Sequence, residues 1–138
     1  MGYVRVEGLL GRRKEGAEEV TFLVDTGAFY TIVPSALARR LGIEAVGEAE
    51  LRLADGRSVK AGVTVAYIKL MDRDGMLPAA IMDSPEPLLG ATALEGLGLR
   101  VNPATGRLEH SRPYGLAALS SSRQGAYIQP DALNFRVA

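Results

Sequence analysis

The chain has 138 residues, enough for one domain that buries about two thirds of its unfolded surface. Sixteen Lys and Arg balance sixteen Asp and Glu, so the formal net charge is zero and the basic surface of a nucleic-acid or anionic-membrane binder is not expected. The absence of cysteine removes disulfides and thiolate metal sites, and no metal or other cofactor is expected.

The chain reads mostly as short strands. Tyr3 to Leu10 and Glu19 to Val24 are two of them, joined by a charged turn from Gly11 to Gly16. Arg5 and Glu7 interrupt any apolar signal segment at the N-terminus. No stretch reaches the ~18 apolar residues that span a bilayer. The expectation is a cytoplasmic protein with neither membrane nor nucleic-acid partners.

The apolar run Val20-Thr21-Phe22-Leu23-Val24 leads straight into Asp25-Thr26-Gly27-Ala28. A carboxylate at the end of a buried strand is expensive unless it is hydrogen-bonded or paired. Gly27 allows a sharp turn and close backbone approach, and Thr26 brings a hydroxyl that can bond across a packed interface. An acid held in a rigid glycine turn on an apolar scaffold is a candidate catalytic group. The plain alternative is a strand-to-loop turn in which Asp25 bonds its own backbone.

Pro34 to Gly42 reads as a short helix, with Pro34 near its start and Gly42 just past its end. Glu50 to Leu53 and Ser58 to Ala61 alternate polar and apolar residues around Asp55-Gly56, a strong hairpin signal. Val63 to Ile68 and Met76 to Met82 form a further strand pair, with a turn expected at Asp72-Arg73-Asp74-Gly75. Asp72 and Asp74 are expected only to solvate that turn, and the single histidine, His110, to lie on the surface. After the strand end Ile81-Met82-Asp83 come a loop, Ser84-Pro85-Glu86-Pro87, and the segment Leu88-Leu89-Gly90. A short helix from Ala91 to Glu95 follows, ended by Gly96 and Gly98. No internal repeat is visible. Many short strands with glycine turns point to an all-β domain, a closed β-barrel or sandwich.

The Asp-Thr-Gly-Ala loop followed later by an apolar-apolar-Gly segment entering a helix resembles the retropepsins, the single-domain aspartic proteases of retroviruses and their cellular and bacterial relatives. Leu99-Arg100-Val101-Asn102-Pro103-Ala104-Thr105-Gly106-Arg107-Leu108 resembles the closing strand and turn of bacterial members. The resemblance covers residues 3 to 110 and implies a closed barrel of the retropepsin type with one or two short helices. Residues 1–110 would be the protease domain, and 111–138 a C-terminal tail that is mobile or packs on a partner through Tyr127, Ile128, Leu133 and Phe135. One departure is clear. Viral members usually have an acidic residue after Asp-Thr-Gly-Ala and an arginine after the later glycine. Phe29 and Ala91 stand there instead, so both halves of that ion pair are missing together.

The resemblance implies an aspartic endopeptidase. Peptide hydrolysis in this family needs two carboxylates around one water, and this chain carries a single such loop. The implied enzyme is a homodimer with the Asp25 of each subunit at the axis, the Thr26 side chains interlocking beneath them, and Gly27 and Ala28 completing the loop. The hairpin at Asp55-Gly56 falls at the position of the flap that closes over an extended peptide or unfolded protein substrate. By the same resemblance Leu23, Phe29, Ile32, Pro85 and Leu88 would line the substrate cleft with Gly27 and Ala28. Two alternatives stand beside this: a non-catalytic dimeric peptide-binding or scaffolding module, and a generic small β-barrel with a fortuitous motif.

Overall fold

The computed structural model describes residues 3–114, so the tail beyond Tyr114 expected from the sequence lies outside the described residues. The elements are β1 (Arg5–Gly11), β2 (Glu18–Val24), β3 (Thr31–Pro34), α1 (Ser35–Leu41), β4 (Gly47–Arg52), β5 (Ser58–Leu70), β6 (Arg73–Met82), β7 (Leu88–Leu89), α2 (Ala91–Leu97), β8 (Leu99–Asn102) and β9 (Arg107–His110). The domain is all-β with two short helices.

Seven strands form one sheet in the order β1-β2-β7-β3-β6-β5-β4, and an added β1–β5 pairing closes the first six into a ring. β4 stays outside the ring, paired only with β5. Closure removes open edges from the ring strands. β8 and β9 form a separate antiparallel hairpin. Phe22, Leu10, Ile68, Leu70, Leu89, Leu97 and Val33 are fully buried in the main core. A second, smaller cluster gathers Ile32, Ala61 and Ala80 with Tyr30, Leu51, Val63, Met82 and Leu88. No described helix is long and apolar enough to cross a membrane.

The ring contains a repeat that the sequence does not display. β1-β2-β3-α1 and β5-β6-β7-α2 follow the same path. β1 pairs antiparallel with β2 as β5 does with β6, and β2 runs parallel to β7 as β6 runs parallel to β3. The repeat is one of backbone pairing; the side chains of the two halves differ, so no residue period reports it.

Three expectations about the elements need correction. β5 is one strand of 13 residues, not two pieces, because it pairs with β4 through its first half and with β6 through its second. The β5–β6 turn sits at Met71-Asp72, ahead of the expected Asp72 to Gly75, since Leu70 and Arg73 are both buried and remain paired. Met71 takes the positive φ of 58° that this tight turn demands. Gly96 lies inside α2 and does not end it; Gly98, at φ 68°, is the left-handed cap. A Cβ at Gly96 would lie 2.6 Å from Leu77 Cδ2, so this glycine lets α2 press onto β6.

Candidate active site

Asp25 stands where β2 leaves the ring. Its backbone N–H donates to the Leu89 carbonyl at 2.9 Å, and its own carbonyl accepts from Ala28 N–H at 3.0 Å. The side chain is held as well: Gly27 N–H donates to Asp25 Oδ1 at 3.2 Å. Asp25, Thr26 and Gly27 are all exposed in the single chain. The expected burial of the carboxylate is therefore not met in the chain, because the strand ends at the surface and the loop projects from it.

The loop is anchored from the other half of the ring. Ala91 N–H donates to the Ala28 carbonyl at 2.7 Å, and Thr92 donates to the Phe29 carbonyl through both its N–H (3.2 Å) and its hydroxyl (2.6 Å). Gly90 N–H donates to the buried Thr31 hydroxyl at 3.0 Å. Gly90 makes this contact possible, because a Cβ there would lie 2.4 Å from the Tyr30 carbonyl oxygen. The apolar-apolar-Gly segment is thus the seat of the Asp25 loop, and α2 begins against it.

A cavity of about 660 Å³ opens in front of Asp25. Of the residues expected there, Gly27, Ala28, Phe29, Ile32, Pro85 and Leu88 line it. Leu23, Asp55 and Gly56 do not. Leu23 is paired in the sheet between Arg5 and Leu88. Asp55 is engaged in its own turn: it accepts from Arg57 N–H at 3.0 Å and from Arg57 Nε at 2.7 Å. Those bonds, the backbone one first, hold the Asp55 carboxyl below its ordinary range. Gly56 takes a φ of 89° in the same turn.

The cavity also takes in Tyr30, Glu50 to Ala54, Met82, Asp83 and Ser84, which sequence reasoning missed. Tyr30, Leu51 and Met82 belong to the second apolar cluster, whose open side forms this wall. Only the alternation of β4, with Ala49 and Leu51 more buried than Glu48, Glu50 and Arg52, hinted at an inward face. The charged lining is Asp25, Glu50, Arg52 and Asp83. Phe29 remains 63% exposed, with its ring 5.0 Å from that of Tyr30 in an edge-to-face arrangement.

Asp72, in the β5–β6 turn, and Asp74, in β6, are not mere solvated charges, contrary to expectation. Asp72 pairs with His110 Nε2 at 2.9 Å, and Asp74 accepts from the Tyr67 hydroxyl at 2.6 Å. His110 is 38 positions from its partner, so no local pattern carries the pair.

A six-strand ring with one Asp-Thr-Gly loop, seated on the start of a helix and facing an open cleft, defines a retropepsin-like fold. The structure of "EIAV protease complexed with the inhibitor HBY-793" matches with a TM-score of 0.59 at 21% identity, over 73% of this chain and 93% of that one. No curated protein is similar enough in sequence to match. Residues 4–93 match the profile of the family described as aspartyl protease, well over half of the 138 residues. The chain belongs to the aspartyl protease family.

Proposed function

We propose that two copies of the chain form a two-fold homodimer that hydrolyses peptide bonds in extended or unfolded polypeptides, with the two Asp25 carboxylates meeting at the axis. One observation carries this reading. Asp25 is fixed by backbone bonds and faces a cleft, yet no other side chain hydrogen-bonds to it among the described residues. One carboxylate cannot be general base and proton donor in the same step. A second copy supplies the other.

In the proposed reaction the ionised Asp25 takes a proton from water as the water oxygen bonds to the scissile carbonyl carbon. The protonated Asp25 of the other copy donates to the carbonyl oxygen. The Asp25 that is now ionised then takes a proton from a diol hydroxyl as the new carboxyl forms, the C–N bond breaks, and the Asp25 that holds the water-derived proton gives it to the amine nitrogen, which returns the pair to one ionised and one protonated carboxyl. Carboxylates about 3 Å apart do not ionise together, so one copy can act as base while the other acts as acid. The open edge of β4 runs beside the cleft, consistent with a substrate bound as an added strand.

The test is dilution. Specific activity on an unfolded protein substrate should fall in step with dimer dissociation followed by sedimentation. A fully active monomer rejects the shared site.

A further inference from the structure

One end of α2 holds the Asp25 loop; a buried arginine holds the other. Arg73, the first residue of β6, is only 6% exposed. Its Nη1 donates to the carbonyls of Leu97 at 3.1 Å, Gly98 at 2.8 Å and Arg112 at 2.8 Å. Its guanidinium carbon lies 5.2 Å from the centre of the Tyr114 ring, and the Tyr114 hydroxyl donates to the Asp74 carbonyl. None of the ion pairs among the described residues includes Arg73.

A buried guanidinium without a carboxylate is costly, and an apolar side chain of similar volume would be buried more easily. An apolar side chain cannot, however, bind carbonyls of two segments at once. α2 has no basic residue in its own last turn. Its C-terminal carbonyls lack helical partners and carry the negative end of the helix dipole. Arg73 supplies the missing cation, and Arg112 a second one, its Nη2 donating to the carbonyls of Glu95 at 2.7 Å and Gly96 at 3.3 Å. Gly98 leaves the space: a Cβ there would lie 2.9 Å from Arg73 Nη1. Seven residues make α2 about 10 Å long. At its far end Ala91 and Thr92 bind the carbonyls of Ala28 and Phe29.

We propose that Arg73 is a positioning residue for Asp25. By clamping the end of α2 to the segment at 111–114, it fixes the helix whose first amides hold the Asp25 loop. The role in catalysis rests on the proposed hydrolysis; the mechanical coupling does not. The segment at 111–114 thereby becomes part of the active-site support, although it touches neither the loop nor the cleft.

The experiment uses the full chain with Arg73→Met, Arg73→Lys and Tyr114→Ala. Amide hydrogen exchange at Ala91 and Thr92 is read with the Asp25→Asn substitution present, so it needs no turnover. In Arg73→Met these amides should exchange about tenfold faster or more, and in Tyr114→Ala about threefold faster. With Asp25 intact, Arg73→Met should lower kcat about tenfold with KM within about threefold, as for a displaced reacting group. Arg73→Lys, which still donates to carbonyls, should recover part of both losses. Unchanged Ala91 and Thr92 exchange in Arg73→Met overturns the inference, as does a loss confined to KM. Should Arg73→Met not fold, unchanged exchange in Tyr114→Ala overturns it alone. If the chain shows no hydrolysis sensitive to Asp25→Asn, the protease reading fails while exchange still decides the coupling.

Discussion

Two loops hold the same place in the two halves of the ring and present different chemistry. Residues 25–30 follow β2, and residues 83–87 follow β6. Each opens with an aspartate and then a hydroxyl residue, Asp25-Thr26 and Asp83-Ser84, and both aspartates line the cleft. The third residue separates them. Gly27 has an N–H and donates it to Asp25 Oδ1. Pro85 has none to give to Asp83; there the Ser84 hydroxyl donates to the Glu86 carbonyl at 2.7 Å instead. The first loop fixes a carboxylate. The second stiffens a wall. Duplicated topology supplies two equivalent positions, and they differ by one backbone donor to the carboxylate.

The sharpest way to break this comparison is to remove each carboxylate in turn. Asp25→Asn changes both subunits of the proposed dimer and removes base and acid together, so kcat should fall by at least about 10² to 10⁴-fold with the fold intact. Asp83→Asn should change kcat by less than about tenfold. Kinetics on one reporter peptide, with circular dichroism as the folding control, checks both. Equal losses would mean that the two loops do not differ in role.

A second pair of variants separates the glycine of the loop from the glycine of its seat. A Cβ at Gly90 would meet the Tyr30 carbonyl oxygen at 2.4 Å, and backbone cannot swing away. Gly90→Ala should destabilise by about 1–3 kcal/mol or more. A Cβ at Gly27 meets only Asp25 Oδ1, at 3.5 Å, an ordinary contact. Gly27→Ala should stay within about 0.5 kcal/mol. Urea unfolding of the two variants gives the comparison directly.

The smallest effects concern pH. The hydrogen bond to Asp74, followed by burial, pushes the Tyr67 hydroxyl from its ordinary 10.0 up to about 12. A group raised in the folded state adds stability that is complete below its ordinary pKa and is lost as pH rises through the folded value. The melting-temperature gap between wild type and Tyr67→Phe should be constant below pH 10.0 and close toward pH 12. Asp72 behaves in the opposite sense. The hydrogen bond from His110 holds its carboxyl below 3.8, so its contribution is present above that pH and lost as pH falls through the lowered value. Both side chains are exposed, so His110→Ala should cost a small amount at neutral pH that vanishes in strong acid. A gap that persists unchanged in acid would show that the pair contributes nothing through charge.

The loop geometry of the candidate site was legible because it is local. Asp25, Gly27 and Ala28 are adjacent, and the bond between Gly27 and Asp25 spans two residues. Gly90 was legible as part of a short apolar segment ending in glycine, and Asp55-Gly56 as a turn. Tyr30, Leu51 and Met82 were not. They come from a loop and two strands and meet only through the second apolar cluster. The Asp55 carboxylate is instead satisfied within its own turn by Arg57.

The amino-acid sequence by itself determined the class: alternation and glycine turns specify strands, and a local motif specifies an acid in a tight loop. Only the tertiary structure decided how the acid is held. The parallel β2–β7 and β3–β6 pairings join residues more than forty positions apart, and such pairings leave no periodic trace in either strand. They set Leu89, Ala91 and Thr92 against the Asp25 loop. The end of α2 and residues 112–114, packed on β6, bury Arg73, which the sequence presents as one charge among 32, at the far end of the helix that carries those contacts.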